Sequence, residues 1–331
     1  MFRQTKLPRY KGFNLMGMFT SKDKGYFEEE DFQLLADWGF NFVRLPLTYR
    51  LWIDDEDEYK INDNKLEPLD QAVRWGEKYG IHVDISFHRG PGYSVNGEFT
   101  ERFNLWTDPE ALDCFIYHWT TVAKRYKGEK LENVSYNLLN EPAGVTIEQH
   151  EKVMRATIKA IHEVDPGRTI ILDGLNYGNI PMMDLGDLGA DNVAQACRAY
   201  IPSGVSHYRA SWVDKHSSFP YPTWPNGFAG TQIWSRDRLE KHYDAWAAMA
   251  EAMGVGVICG EGGPNNTVPH EVALRWMEDY LSILKDRNIG YAQWNLKGGF
   301  GVLDTNRKDV NYVDYKGHKL DKKMLDLLQK Y

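Results

Sequence analysis

The feature of this sequence that most constrains its fold is a regular alternation of two hydrophobic patterns. Short apolar runs, which read as buried strands, alternate with longer stretches whose apolar residues recur at helical spacing. Strands are predicted at 11–16, 40–46, 81–88, 134–139, 169–173, 193–200, 255–261 and 289–295. Helices are predicted at 28–38, 69–79, 109–126, 147–164, 238–253, 269–287 and 321–329, with a weak helical turn near 182–188. The punctuation agrees: Gly39 and Gly80 end two of the helices, and Pro109 opens a third. About eight strand–helix units predict a single (β/α)8 TIM barrel, one domain covering residues 1–331. The rival is a doubly wound sheet, which carries a glycine-rich turn after its first strand. Gly12 and Gly17 do not make that turn, and no linker, low-complexity tract or repeat divides the chain.

Two connections are too long to be plain loops. Residues 89–107 follow the third strand and residues 201–236 follow the sixth. Both leave the C-terminal face of the predicted barrel, where active sites of this architecture lie. Both are aromatic, in a chain that is 13% Phe, Trp and Tyr. Most of these rings are expected to form small cores under their own loops. Trp106, Trp212 and Trp224 are the candidates for rings that face the cleft and stack on sugars.

The charge balance narrows the partners. A net charge of −8 without a basic cluster argues against nucleic acid and anionic membranes and suits a neutral substrate. No run approaches the ~20 apolar residues of a membrane span. The first residues lack an apolar core of signal-peptide length, which predicts a cytoplasmic chain, or a secreted one if a signal has been removed. Three cysteines, Cys114, Cys197 and Cys259, with no CxxC spacing predict buried free thiols. His82 and His88 share a strand face with Asp84 between them, but no tight His-x-His pair occurs, so neither a metal nor another cofactor is expected.

Chemistry is predicted at the strand ends. The run Val134-Ser-Tyr-Asn-Leu-Leu-Asn140-Glu141-Pro142 is apolar and then stops on an amide, an acid and a proline. Proline cannot extend a ladder, so Glu141 is expected at a strand tip with Asn140 beside it. Arg44, His88, Tyr200, Glu261 and Trp294 end other strands in the same manner. In a barrel these ends converge, and Glu141 and Glu261, on the fourth and seventh strands, would face each other. Two facing carboxyls suit glycoside hydrolysis: one donates a proton to the leaving oxygen and the other, ionised, attacks the anomeric carbon or activates water.

Asn140-Glu141-Pro142 at the end of a fourth strand resembles the acid/base motif of the large clan of retaining glycoside hydrolases. The whole set resembles glycoside hydrolase family 5, which contains cellulases and mannanases. Gly12-Phe13-Asn14-Leu15 resembles its first strand and Phe42-Val43-Arg44-Leu45-Pro46 its second. Phe87-His88-Arg89-Gly90-Pro91-Gly92, Gly260-Glu261-Gly262-Gly263 and Ala292-Gln293-Trp294-Asn295 resemble its third, seventh and eighth. The resemblance implies that Glu141 is the general acid/base and Glu261 the nucleophile, with their carboxyls ~5 Å apart. It further implies that Asn140 binds the sugar 2-hydroxyl, Tyr200 bonds the nucleophile, and Arg44, His88 and Trp294 shape the site. One position departs from the family. Its sixth strand ends His-x-Tyr, whereas this one ends Arg198-Ala199-Tyr200. Arg198 would favour an ionised neighbour or bind an anionic or unusual sugar. His207 would supply the lost imidazole or be an ordinary loop histidine.

The expected activity is retaining hydrolysis of β-linked, notably β-1,4-linked, glucan or mannan oligo- and polysaccharides. Arg44-Leu-Pro and His88-x-x-Pro-Gly also resemble exo-acting members, which implies β-glucosidase or β-mannosidase action on short oligosaccharides. A catalytically silent carbohydrate-binding barrel or a transglycosylase would fit the same residues.

Overall fold

The structure is a computed structural model that describes residues 7–96, 99–184 and 192–331. Eight parallel strands form its centre: β1 (Lys11–Asn14), β2 (Phe42–Thr48), β3 (His82–Gly90), β4 (Val134–Asn137), β5 (Ile170–Asp173), β6 (Val193–Ala199), β7 (Gly256–Gly262) and β8 (Gly290–Gln293). Each pairs with its neighbours in chain order, and β1 closes on β8. The result is the expected (β/α)8 TIM barrel, in which closure leaves no free sheet edge. Helices α1 (Glu29–Asp37), α2 (Glu67–Tyr79), α3 (Pro109–Tyr126), α4 (Ile147–Val164), α5 (Arg236–Met253), α6 (His270–Asp286) and α7 (Lys322–Lys330) surround it. Between β5 and β6 a single turn forms at Leu175–Gly178. It lies upstream of the turn expected near 182–188, where residues 182–184 are not helical and the remainder lies outside the described residues.

Strand alternation divides the core into two layers. On β3, Phe87 points outward and stacks on Trp119 of α3 with ring centres 4.0 Å apart. Asp84 and Ser86 point inward, bonding Ser135 and Asn137 of β4. Every residue of β2 and β3 is buried, as in a parallel sheet covered by helices. The floor of the barrel is apolar. Tyr10, Phe42 and His82 stack there, above small and aliphatic side chains that include Ala194, Ala196, Ile258 and Ala292. Burying each large member contributes about 1.5–3 kcal/mol. The upper interior is polar, so the floor seals a cup whose rim carries the functional groups.

The helices obey local rules. Thr146 and Gln149 cap α4 reciprocally. Gly80 and Gly254 end α2 and α5 with φ of 67° and 65°, a conformation that costs glycine least. Cys114, Cys197 and Cys259 are free and buried. No helix among the described residues is long and apolar enough to cross a membrane.

The connections 91–108 and 200–235 rise from β3 and β6 as expected, and a third long one, 294–321, follows β8. Two of the three proposed aromatic platforms are core residues instead. Trp224 is buried and its indole N–H bonds Asp279 of α6 at 2.8 Å. Trp106 is buried between Tyr93 and His150. A large indole satisfies its loop before it faces a cleft, and sequence spacing does not report which way it turns. Trp212 is 55% exposed, beside Phe300 and His207.

Candidate active site

Glu261 owes its direction to a bulge. Cys259 pairs with Cys197 of β6, and both belong to the outer layer. Strict alternation would turn Gly260 in and Glu261 out. The register shifts between Cys259 and Glu261, so that Glu261 lies opposite Arg198 and turns into the barrel. An extra residue in one strand is a recognised way to re-aim a side chain. Gly260 permits it: a Cβ there would stand 2.9 Å from Arg198 Nη1.

The Glu261 carboxylate is 3% exposed and surrounded by donors. Arg44 Nη1 donates to its Oε1 at 2.5 Å, and the Tyr200 hydroxyl donates to its Oε2 at 3.2 Å. Arg44 is held in turn by Asn14, Asn137 and Asn140, whose amide oxygens accept from Nη1, Nε and Nη2 at 3.0, 2.9 and 2.9 Å. A guanidinium fixed at each nitrogen has one orientation available, which fixes the carboxylate it contacts.

Glu141 stands beyond the strand, not on it. The β4 ladder ends at Asn137, and Glu141 has a left-handed φ of 49°. That conformation is sparsely populated by residues other than glycine. It is tied from both sides: the Glu141 N–H donates to Asp173 Oδ2 at 2.8 Å, and its carbonyl accepts from the Tyr93 hydroxyl at 2.7 Å. The expected strand tip is thus a tethered bend, and such strain gathers at functional sites. The Glu141 side chain remains 16% exposed at the mouth. Burial, and then the nearby Glu261 charge, push its carboxyl up to about 8.

Arg198 joins the two acids. Its Nε donates to Glu141 Oε1 at 3.1 Å, and its Nη2 lies 3.5 Å from Glu261 Oε1. Nη2 also bonds Asn140 Oδ1 at 2.9 Å and the Asp173 carboxylate. Both carboxyls therefore fall within the span of one guanidinium. Because both arginines occupy Asn140 Oδ1, the amide nitrogen of Asn140 is the group left for other partners, with His88 Nε2 at 3.4 Å.

Aromatic and imidazole groups complete the mouth. Trp294 stacks on His88 with ring centres 5.6 Å apart, and Phe19 meets both edge-on. His88 Nδ1 lies 3.9 Å from Glu261 Oε1; burial and the neighbouring arginines hold the ring well below its ordinary pKa, so it is neutral. His207 bonds Ser206 and packs its ring against Tyr200, 4.8 Å away; among the described residues it bonds neither glutamate. His82 and His88 sit at opposite ends of β3, roughly 20 Å apart at ~3.3 Å per residue. Among the described residues no three His, Cys, Asp or Glu side chains gather as a metal site.

All the strand-end residues singled out in the sequence thus reach one cup: Arg44, His88, Asn140, Glu141, Arg198, Tyr200, Glu261 and Trp294. Sequence reasoning missed four further participants: Asn14, Asn137, Asp173 and Tyr93. Asn14, Asn137 and Asp173 each end a strand, the same signal that picked out the others. Tyr93 sits in a two-residue strand, Tyr93–Ser94, folded back on β3, and carries no comparable mark in the sequence.

The sequence profile of Cellulase (glycosyl hydrolase family 5) matches residues 8–299. Endoglucanase C of Acetivibrio thermocellus is 27% identical over 308 residues, which cover 86% of this chain and 89% of that protein. Cellodextrinase A of Ruminococcus flavefaciens is 27% identical over 295 residues, covering 84% and 83%. A crystal structure of a glycoside hydrolase superposes with a TM-score of 0.91 at 37% identity, covering 97% of this chain and 99% of that one. The profile begins before β1 and ends past β8, so all eight strands lie inside the match, and the chain belongs to glycosyl hydrolase family 5 as a retaining O-glycosyl hydrolase.

Proposed function

We propose that this chain is one catalytic domain that hydrolyses β-1,4-linked glucan, as polymer or as cellodextrins, with Glu261 as nucleophile and Glu141 as acid/base. The observation that carries the assignment is the shared guanidinium. Arg198 touches both carboxyls, and the two differ sharply in setting. Glu261 accepts from Arg44 and from Tyr200, which fix its two oxygens in place. Glu141 is pushed up to about 8 by burial and by Glu261, so it holds a proton at neutral pH. Environments that separate two carboxyls in this way assign the acid and the base.

In the first step a Glu261 oxygen attacks the anomeric carbon while Glu141 protonates the departing glycosidic oxygen. In the second, Glu141, now ionised, takes a proton from water, which attacks the same carbon and releases Glu261. The Asn140 amide nitrogen would donate to the 2-hydroxyl, because its oxygen is occupied. The Trp294–His88 stack would form the apolar wall behind the sugar ring. The names of the relatives, an endoglucanase and a cellodextrinase, support cellulose-type chains of differing length.

The test is a panel of nitrophenyl β-glycosides, cello- and manno-oligosaccharides and carboxymethylcellulose, with product lengths read by chromatography. Cello-oligosaccharide cleavage is expected, and internal against terminal products separate endo from exo action. Preference for manno-oligosaccharides would overturn the substrate. Turnover in Glu261→Ala equal to that of the native chain would overturn the catalytic assignment.

A further inference from the structure

An arginine touching the acid catalyst poses a problem. A guanidinium is always charged, and at 3.1 Å it favours the ionised form of Glu141, which is the wrong form for donating a proton. The cation must be offset. Asp173, the last residue of β5, is buried at 1% exposure and reaches no open space. Its Oδ2 accepts from Arg198 Nη2 and from the Glu141 backbone N–H at 2.8 Å, and its Oδ1 accepts from Asn137 Nδ2 at 2.9 Å.

We infer that Asp173 is a positioning residue of the hydrolytic reaction: it clamps Arg198 across the two glutamates and balances its charge, so that Glu141 can carry the proton the leaving group needs. This rests on the acid/base assignment of Glu141 made above.

The surrounding charges support the balance. Arg44 on β2 faces Glu261 on β7, which leaves Arg198 on β6 to Asp173 on β5. His88 on β3 and His150 on α4 are held neutral by burial. The phenols of Tyr93, in the loop after β3, and Tyr200, after β6, are pushed up by burial and stay protonated. Asp84, lower on β3, is raised to about 7 by burial; it bonds Ser135 and feels the charges of Arg44, Asp173 and Arg198 from below the rim. Glu141 is thus the group at the rim whose proton depends on how well Arg198 is neutralised. The same carboxylate of Asp173 also secures the Glu141 backbone, so one side chain sets both the place and the charge of the acid.

The experiment uses the full chain and compares native protein with Asp173→Asn on aryl β-cellobiosides of good (dinitrophenyl) and poor (phenyl) leaving groups across pH. Asp173→Asn is expected to move the basic limb of kcat/KM down by about one pH unit or more. At pH 9, above both limbs, it should lose roughly tenfold on the poor leaving group and far less on the dinitrophenyl one, which needs no proton. Equal losses on both substrates with an unmoved limb would mean that Asp173 only supports the fold and would overturn the inference. Asp173→Asn/Arg198→Met removes both charges and serves as the second arm if the single variant does not fold. Its basic limb should return to the native position, and a limb that stays low would overturn the inference. A native chain inactive on all aryl glycosides would instead count against the function proposed above.

Discussion

Arg44 and Glu261 meet at 2.5 Å between Nη1 and Oε1, both nearly sealed from solvent. Glu261 comes from the end of β7 and Arg44 from within β2, two residues past its start and not at its end as the sequence suggested. Their bond is short and unscreened, and three asparagines hold the arginine in place. Arg44→Leu would leave Glu261 buried with fewer donors. Unfolding by urea should show a loss of roughly 3–5 kcal/mol, the range for a buried pair stripped of one partner. Arg44→Lys, which keeps charge but cannot reach three amides and a carboxylate at once, should lose activity while regaining part of that stability.

Removing the proposed nucleophile and the proposed acid should have different signatures. Glu261→Gln is expected to lower kcat by roughly 10⁴-fold or more on every substrate. Glu141→Ala should lose most on glycosides with poor leaving groups and least on dinitrophenyl glycosides, since those depart without protonation. Steady-state kinetics across a leaving-group series checks both. A flat dependence in Glu141→Ala would reject its role as acid.

The rate should fall on the alkaline side. Glu141 acts as an acid only while protonated, and its carboxyl is raised to about 8. The kcat/KM profile should therefore decline as pH rises through about 8, and Glu141→Gln should remove that limb. A native profile flat from pH 6 to 9 would contradict it.

Stability should respond to acid through buried imidazoles. Burial lowers His82, His118, His150, His207 and His242 to about 4 and His88 well below its ordinary value of 6.5. As pH falls below 6.5, the unfolded chain takes up protons at these positions that the folded chain refuses, so stability falls. Asp84 and Glu141, raised to about 7 and about 8, act in the opposite sense over the same window, because the folded chain binds their protons first. Six imidazoles against two carboxyls predicts a net loss between pH 6.5 and 4, measurable by urea denaturation. Asp84→Asn removes one opposing group and should steepen that loss.

Much of the barrel was legible because its two signals, helical spacing and continuous apolar runs, reflect burial that each segment carries by itself. All eight strands fell within a few residues of their predicted limits. The rim residues were legible for a related reason: a polar residue at the end of an apolar strand must face something other than the core. Direction was harder to read. The bulge that turns Glu261 inward comes from pairing with β6, and the left-handed bend at Glu141 comes from Asp173 and Tyr93, both distant in sequence. Trp106 and Trp224 turned inward because their loops needed cores, a demand set by three-dimensional closure. Asp173 carried the same strand-end signal, but its partners Arg198 and the Glu141 backbone meet it only once the barrel closes.

The register shift at Cys259 and Glu261 makes the chemistry depend on parity. Were β7 to pair with β6 residue for residue there, Gly260 would stand opposite Arg198 and every side chain above it would exchange sides. The nucleophile would then lie against the helical shell while the barrel, its floor and its rim arginines stayed whole. A sequence that keeps all the right letters could therefore fold into the same barrel and hydrolyse nothing, so how β7 pairs with β6 says more about activity in a relative than matching its motif.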